Sequence, residues 1–369
     1  MNKTDMNQLI LHIGTMKTGT TALQCFLHDN RERLEKNGIG YYPEEKGEKG
    51  QAKPAKDEND PARFMNGRAL MDAINRKASN DPNTEITDGL KEKLRALADY
   101  AATHRTTIVS NECIWHELAK NPAKWGVLKA VLDEYLPLCS RRFVLYLRPQ
   151  EEMVLSMYRQ FIPFESSPRE FSAYSADEQT KSMLDYAATI RTLEEVFGRE
   201  SITVRRYDTK RFCGGSIFRD FFEATGLEWD ETYARPQELL NPSMTIEMCE
   251  AIRELAAHRA CIFHDRRLIA SIAKVFSLTY TEPRGTHYLT YDEQVALRAE
   301  YEDGNRRIAA EYFGGGPLFA EVRRDTSVWQ RDEERLTRHA REIIAITKII
   351  EEERLELEKK EREGRIEQA

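Results

Sequence analysis

Short apolar runs alternate with helix-like patterns over roughly the first 230 residues of the chain. Each run is only a few residues long and rich in Val, Ile, Leu or Tyr, which predicts a buried strand. Between the runs, apolar residues recur every three to four positions, as they do on one face of a helix. Strands and helices that alternate in this way predict an α/β fold, with a parallel sheet and helices on both faces. The predicted strands are Leu9–Ile13, Ile39–Tyr42, Thr106–Ser110, Phe143–Leu147 and Ile202–Arg206.

The predicted helices follow the same pattern. A helix is expected with apolar residues from Leu23 to Leu34 and an end at Asn37-Gly38, and Pro149 stands where it favours the first turn of another helix. The later part, residues 243–313, is predicted to be largely helical, and Thr290 and Glu293 form a capping box there. Further helices are predicted over residues 90–102, 122–135, 182–197 and 216–225.

Two changes in composition predict the domain organisation. Residues 44–90 are rich in Lys, Glu, Asp, Asn and Pro, and two interpretations stay open: a solvated insertion, or a mobile lid or acceptor loop. The second change is Gly314–Pro317, a glycine-rich boundary. We therefore predict an α/β domain over residues 1–316 and a charged helical extension over residues 317–369.

Apolar residues in the extension stand at heptad-like spacing, at Leu336, Ile343, Ile346, Ile350 and Leu357. One hypothesis is a single amphipathic helix packed on its own domain, or a frayed tail. The other is a short coiled coil that joins two copies of the chain in a homodimer. Charged residues interrupt the second apolar position of the heptad, which weakens the dimer hypothesis.

Composition and charge exclude several classes of protein. The chain of 369 residues is 40% hydrophobic, so it can fill a core, and it has no run of about 18 apolar residues that would span a membrane. The 62 acidic and 55 basic side chains give a net charge of −7, unlike the basic field of a nucleic-acid-binding protein. The 6 cysteines are scattered without a CxxC pair, which predicts reduced thiols and no metal site. With no signal peptide at its start, we expect a cytoplasmic protein.

The clearest chemistry lies in the turn between the first strand and the first helix. Backbone N–H groups in such a turn converge on one point, and the helix N-terminus adds partial positive charge. Lys17 adds a full charge, while Thr18, Thr20 and Thr21 add hydroxyl donors. This arrangement predicts a site for a tetrahedral oxyanion such as phosphate or sulfate. The predicted anion-binding residues are Gly14, Thr15, Lys17, Thr18, Gly19, Thr20 and Thr21.

The turn differs from a Walker A loop. Its lysine stands two residues before the second glycine, whereas Walker A places the lysine directly after it. No companion strand ends in an aspartate that would hold Mg²⁺, and the fourth predicted strand is followed by Arg148 instead. We therefore predict a P-loop-type sheet whose site binds an anionic nucleotide through Lys and Arg, without a metal ion.

Lys17–Thr21 after a strand resembles the 5′-phosphosulfate loop of sulfotransferases that use 3′-phosphoadenosine 5′-phosphosulfate (PAPS), and the longer string His12–Gln24 is similar to a bacterial branch of that family. A second family signature is an Arg at a strand end with a Ser eight positions later, which Arg148 and Ser156 resemble. The resemblance implies that these two residues hold the nucleotide 3′-phosphate. Tyr207, after the fifth strand, resembles the family tyrosine that contacts adenine.

The resemblance implies PAPS as sulfuryl donor, 3′-phosphoadenosine 5′-phosphate (PAP) as product and in-line transfer to an acceptor hydroxyl. Lys17 would then stabilise charge on the leaving group. Family members use Glu or His as the base, and Glu112, after the third predicted strand, is the first candidate, with His116 second. A late Arg-Lys-Gly segment of cytosolic members has no clear counterpart, and Arg284-Gly285 is the nearest candidate.

The expected acceptor is a carbohydrate or glycolipid hydroxyl, or another small molecule, with residues 44–90 and 160–180 shaping its site. Two other functions stay open. A small-molecule P-loop kinase would bind ATP and require Mg²⁺. A non-catalytic scaffold would keep the anion-binding loop and work through the C-terminal helix.

Overall fold

The computed structural model describes residues 7–44, 64–79, 85–162, 165, 168–235, 244–257, 271–272, 275–276, 279–280, 282–283 and 285–366. The strands are β1 (Gln8–Gly14), β2 (Ile39–Tyr41), β3 (Thr106–Ser110), β4 (Ser140–Leu147), β5 (Ile202–Arg206), β6 (Thr286–His287) and β7 (Ser327–Val328). The helices are α1 (Thr20–Asp29), α2 (Arg31–Lys36), α3 (Arg68–Lys77), α4 (Asp88–Thr103), α5 (Cys113–Lys120), α6 (Lys124–Tyr135), α7 (Gln150–Phe161), α8 (Phe171–Ala176), α9 (Glu178–Leu184), α10 (Tyr186–Phe197), α11 (Ile217–Thr225), α12 (Ile246–Ala257), α13 (Tyr291–Ala299), α14 (Glu302–Phe313) and α15 (Glu333–Ile366).

In the described part of the chain, the first five strands form one parallel sheet in the order β2-β3-β1-β4-β5. The central strand β1 pairs with β3 on one side and β4 on the other, so the chain changes direction across the sheet at the carboxyl end of β1. In open parallel sheets ligands bind at such a switch point. The predicted α/β fold is confirmed, and each predicted strand is present.

Helices cover both faces of this sheet. Alternate residues of a strand point to opposite faces, and Ile10, Val144 and Tyr146 point to the face covered by α1 and α11. Phe143 points to the other face, where its ring lies 4.4 Å from that of Phe197 in α10. Strands that are covered on both faces lose the apolar and polar alternation, which explains the continuous apolar runs of the sequence.

The helix expected to run through Leu23 and Leu34 to Asn37-Gly38 is in fact two helices. Asn30 lies between α1 and α2, and its amide nitrogen donates to the carbonyl of Phe26 at 2.8 Å and to that of Ala234 at 2.8 Å. Its amide oxygen accepts the N–H of Ala234, also at 2.8 Å. These bonds to a distant segment stabilise a break that helical spacing cannot reveal.

The helix expected over residues 182–197 is also divided. Asp185 ends α9 and is the N-cap of α10, because its carboxylate accepts the N–H of Ala188 at 2.9 Å. Part of the polar segment 44–90 differs from a solvated insertion as well: Leu70 and Ile74 of α3 are fully buried. The remainder of that segment largely lies outside the described residues.

Contacts between residues divide the chain into two compact units, each assembled from three stretches. The first, with the parallel sheet, comprises residues 1–150, 181–241 and 300–320, and the second comprises 151–180, 242–299 and 321–369. Both units draw on the predicted domain 1–316, and the predicted boundary before residue 317 stays a prediction.

The second unit is built mainly from helices. Met248, Ile252 and other residues of α12 pack against Leu336 and Ile343 of α15 in one apolar cluster. The short strands β6 and β7 pair in parallel, which the sequence did not predict. Helices account for most of the described residues in 243–313, as expected. The capping box at the start of α13 is confirmed, with Thr290 N donating to Glu293 Oε2 at 2.7 Å.

Candidate functional site

The turn between β1 and α1 has an unusual backbone. Gly14, Lys17 and Gly19 have φ values of +116°, +61° and +73°. A lysine in the left-handed backbone conformation costs conformational energy, so it persists only where the surrounding structure holds it. Such residues are common in loops that bind ligands. Gly19 is the N-cap of α1, and no side chain in the described part of the chain caps this helix end. The N–H groups of the first turn of α1 are therefore directed toward the loop.

The hydroxyls of two loop threonines are used inside the loop. Thr15 Oγ1 donates to the carbonyl of Tyr146 at 2.9 Å, and Thr18 Oγ1 donates to the carbonyl of Thr15 at 2.6 Å. Both side chains are fully buried. The hydroxyl donor expected from Thr18 toward an anion is thus engaged with the main chain, so Thr15 and Thr18 shape the loop. Thr20 and Thr21 lie in the first turn of α1.

Arg148 and Tyr207 meet the loop at the carboxyl edge of the sheet. Arg148 Nη1 donates to the carbonyl of Lys17 at 3.3 Å, and its guanidinium carbon lies 5.9 Å from the centre of the Tyr207 ring. A Cβ placed on Gly19 would lie 3.3 Å from Tyr207 Cε2, so this ring also contacts the loop. The carbonyl of Arg148 accepts the hydroxyl of Tyr186 at 2.8 Å. The structure therefore brings Lys17, Arg148 and Tyr207 together.

A buried carboxylate supports the segment that carries Tyr207. Asp220 is only 1% exposed, and it accepts hydrogen bonds from the hydroxyl of Tyr146 at 2.9 Å, Arg205 Nε at 3.0 Å and the N–H of Cys213 at 3.1 Å. Burial, with Asp220 beside it, raises the pKa of Tyr146 well above its usual value, so the phenol stays a donor. The turn after β5 is thereby tied to α11.

The first candidate base lies on the opposite side of β1. Glu112 follows β3 and is the N-cap of α5, and a Cβ on Gly14 would lie 3.4 Å from Glu112 Cβ. Glu112 Oε2 accepts a hydrogen bond from Gln24 Nε2 at 2.8 Å. His116 lies one turn further along α5, with Nδ1 3.4 Å from a carboxylate oxygen of Glu117. Burial is the main cause that lowers the pKa of His116.

Ser156 lies in the middle of α7, eight residues after Arg148, and belongs to the second unit. Its side chain is partly exposed. The structure therefore places the predicted residues Gly14, Lys17, Gly19, Arg148 and Tyr207 around one loop with Glu112 beside it. Whether Ser156 contributes to the same site stays a prediction.

Two amides of this edge were missed from the sequence. Gln24 is 2% exposed and contacts Glu112, although its position in α1 first indicates an ordinary core residue. Asn66 is equally buried, and its Oδ1 accepts the N–H of Ser110 at 2.7 Å, which holds the end of β3. A polar residue one turn after Thr20 was the available signal for Gln24, whereas nothing in the polar segment singled out Asn66.

Neither a metal cluster nor a membrane span is found in the described part of the chain. Among those residues, no group of three or more His, Cys, Asp or Glu side chains is placed to hold a metal ion. None of the helices within the described ranges combines the length and apolar character needed to cross a membrane.

Comparisons with known proteins give two similarities. No family model matches the chain. It is 25% identical over 187 residues to an uncharacterized protein of Archaeoglobus fulgidus, and the match covers 49% of this chain and 48% of that protein, so the chain spans about half the length of the curated relative it matches. Among solved structures it is similar to a sulfotransferase from Alicyclobacillus acidocaldarius, with a TM-score of 0.38 and 15% identity over 68% of this chain and 96% of that one. Neither similarity assigns a family.

Proposed function

We propose that this chain is a sulfotransferase, which transfers the sulfuryl group of PAPS to a hydroxyl of a carbohydrate or glycolipid acceptor. The observation that carries the proposal is the cluster of Lys17, Arg148 and Tyr207 around one anion-binding turn. Two cationic side chains and a partly exposed aromatic ring at a helix N-terminus fit a nucleotide that carries phosphates on both sides of its ribose.

Each part of the cluster suits one part of the nucleotide. Lys17 and the N–H groups at the start of α1 would bind the 5′-phosphosulfate, because an oxyanion is stabilised at a helix N-terminus. Arg148 would pair with the 3′-phosphate through its planar guanidinium, and the same role for Ser156 stays a prediction. Tyr207 offers a ring face to the adenine. Divalent metal has no role in this arrangement, since the cationic side chains supply the positive charge.

The transfer needs little covalent chemistry from the protein. The acceptor oxygen forms a bond to sulfur while the bond from sulfur to the bridging phosphate oxygen breaks, and PAP leaves with the electron pair. Lys17 would stabilise the negative charge that grows on that oxygen. Glu112 would take the proton of the acceptor hydroxyl, with His116 as the second candidate. Positioning and electrostatic stabilisation would supply most of the rate, as they do in phosphoryl transfer.

Calorimetric titration tests the nucleotide assignment. PAP and ATP with Mg²⁺ are titrated separately into wild type, Lys17→Ala and Arg148→Ala. We expect PAP alone to bind tightly and each substitution to weaken it about 10- to 100-fold, because a hydrogen bond between charged groups contributes roughly 1.5–3 kcal/mol. Lys129→Ala is the matched control, since Lys129 is an exposed lysine of α6 paired with Asp133.

The other outcomes separate the alternatives. Tighter binding of ATP with Mg²⁺ than of PAP would favour the kinase, and binding of neither nucleotide would favour the non-catalytic scaffold. When PAP binds as expected, a screen of mono- and oligosaccharides, glycolipids, phenols and steroids with ³⁵S-labelled PAPS identifies the acceptor class. Label transferred only to phenols or steroids would contradict the carbohydrate assignment.

A further inference from the structure

We propose that Gln24 is a positioning residue for the transfer: it holds one carboxylate oxygen of Glu112, so that the other faces the loop as the proton acceptor. This inference rests on the proposed function and adds a residue that the resemblance does not assign. Its basis is the position of Gln24 on α1, one turn after Thr20, where one helix can bind the anion at its tip and orient the base on its side.

The two oxygens of Glu112 have different surroundings. Oε2 accepts the amide of Gln24 at 2.8 Å, whereas Oε1 has no hydrogen-bond or ion-pair partner among the residues that the structure describes. Glu112 Cβ lies next to Gly14, at the beginning of the anion-binding turn. A carboxylate with one oxygen fixed and the other unpaired is what general-base catalysis requires.

The orientation of the Gln24 amide follows from its neighbours. An ionised carboxylate only accepts hydrogen bonds, so the nitrogen and not the oxygen of Gln24 must face Glu112. The second hydrogen of that nitrogen points to Ser110, where the hydroxyl lies at 3.3 Å and the carbonyl at 3.4 Å. Both hydrogens are thus directed to acceptors in a buried place, which fixes the amide.

Ser110 is held in turn by His12. The two residues are register partners on β1 and β3, and Ser110 Oγ lies 2.8 Å from His12 Nδ1. Burial lowers the pKa of His12 to about 3, so the ring is neutral and Nδ1 can accept the serine hydroxyl. A chain of polar contacts therefore connects Gln24 through Ser110 to His12.

Burial shifts the pKa values of several titratable groups around Glu112. Burial is the largest cause that raises the pKa values of Tyr41 on β2 and Cys113 on α5, that of Cys113 to about 11. The negative charge of Glu112 raises both values further. Burial lowers the pKa of His116 on α5 and that of His12 on β1, the latter to about 3. The pH–rate profiles of wild type and the Gln24 variants are therefore compared with one another, because these surrounding groups are common to all of them.

The closing experiment compares Gln24→Met, which keeps the volume and loses both donors, with Gln24→Glu. With ³⁵S-labelled PAPS and the acceptor from the screen, or water in its absence, we expect Gln24→Met to lower kcat about 10- to 100-fold while PAP affinity stays within threefold. Gln24→Glu places a second carboxylate beside Glu112, and the pair retains a proton to higher pH. The acid limb of its pH–rate profile should move up by about one unit or more.

A matched control and a direct readout complete the test. Gln294→Met removes another buried glutamine amide, which donates to the carbonyl of Leu289 at 3.0 Å in the second unit, and it should leave kcat unchanged. The ¹⁵N–¹H signals of the Gln24 side chain, identified by their loss in Gln24→Met, should shift in Glu112→Gln whether or not turnover is measured.

The outcomes distinguish the two levels of the proposal. Wild type that does not bind PAP contradicts the proposed function, whatever the Gln24 signals do. Two results would overturn the positioning role and leave the proposed function in place. One is intact PAP binding with full turnover in Gln24→Met. The other is that the ¹⁵N–¹H signals of the Gln24 side chain do not shift in Glu112→Gln.

Discussion

Gly19 is the residue where backbone conformation and the candidate site depend most directly on each other. Its φ is +73°, and a Cβ there would lie 2.9 Å from Ile217 Cδ1 and 3.3 Å from Tyr207 Cε2. We predict that Gly19→Ala lowers the free energy of unfolding by about 1–2 kcal/mol for the left-handed conformation alone. It should also displace the Tyr207 ring and weaken PAP binding about tenfold or more, measured by urea unfolding and calorimetry.

Gly226 provides the control for this substitution. It ends α11 with a φ of +71°, and nothing lies within 4 Å of a Cβ placed there. Gly226→Ala should therefore cost a similar conformational energy and leave PAP affinity unchanged. Equal affinities of the two variants for PAP would mean that the contact of Gly19 with Tyr207 does not matter for the nucleotide.

His12 makes the stability of the protein depend on pH. Burial lowers its folded-state pKa to about 3, below the usual value of about 6.5 that applies when the chain is unfolded. The unfolded state therefore binds the proton first, and stability is complete above about pH 6.5 and falls as the pH drops toward 3. We predict a loss from this residue of about 2–3 kcal/mol between pH 6.5 and 4.5.

Urea unfolding of wild type and His12→Asn at several pH values checks this prediction. Other histidines contribute to both proteins, so the difference between the two free energies of unfolding isolates His12. That difference should be constant above about pH 7 and shrink steadily below pH 6.5. A difference that stays constant down to pH 4.5 would show that His12 does not titrate as its burial requires.

At the scale of single elements, α3 shows how a distant carboxylate can begin a helix. Glu44 lies before the undescribed residues 45–63, yet its side-chain oxygens accept the N–H of Arg68 at 2.7 Å and of Ala69 at 2.6 Å. A negative charge at a helix N-terminus is favourable. We predict that Glu44→Ala lowers the free energy of unfolding by about 1 kcal/mol, as loss of a helix cap does.

Glu44→Gln is the matched variant for α3. It keeps one oxygen acceptor and removes the charge, so its loss of stability should be about half that of Glu44→Ala. Denaturant unfolding followed by circular dichroism measures both. A loss of the same size in the two variants would indicate that charge, and not hydrogen bonding, is what α3 needs.

The elements that the sequence predicted well are those whose pattern is local. Parallel strands buried on both faces must be apolar throughout, so runs such as Phe143–Leu147 are visible in the sequence. Helix breaks at Asn30 and Asp185 were missed because side-chain hydrogen bonds decide them, and for Asn30 the partner is Ala234, 204 residues away. Helical spacing carries no information about such partners.

The residues of the candidate site also fall into two groups, those that could be predicted from the sequence and those that could not. Lys17, Arg148 and Tyr207 were predictable because each follows a strand, and parallel strands bring their carboxyl ends to one edge. The different roles of the loop threonines were not predictable. Thr18 donates a hydrogen bond within the loop, whereas Thr20 has no hydrogen-bond partner in the described part of the chain. Residue type alone cannot separate these two roles.

At the scale of the whole molecule, the predicted boundary before residue 317 rests on composition, whereas the two compact units rest on contacts between residues. Each unit is assembled from three stretches of the chain, so contacts far apart in sequence decide the division. Gly314–Pro317 is a real change in composition, but the second unit also takes residues 151–180 and 242–299 from within the predicted first domain. Composition along the chain cannot detect a division of that kind.

The heptad-like stripe of α15 determines what we expect for the oligomeric state. Leu336 and Ile343 are 3% and 0% exposed, because they pack against α12 of the same chain. Ile349 and Leu355 are 55% and 61% exposed, but they stand six residues apart, which places them about 120° from each other around the helix. A coiled coil needs one continuous apolar seam over three to four heptads. In α15 the most buried apolar residues of that seam already pack against α12.

We therefore predict a monomer of 42.8 kDa in sedimentation equilibrium at micromolar concentration. Ile349→Asp should leave both the mass and the free energy of unfolding unchanged, because this side chain is exposed on α15. Ile343→Ala should instead cost about 2–4 kcal/mol, since it opens a cavity between α15 and α12. A mass near twice the monomer value that Ile349→Asp abolishes would establish the coiled-coil dimer, and the exposed half of α15 would then be its interface.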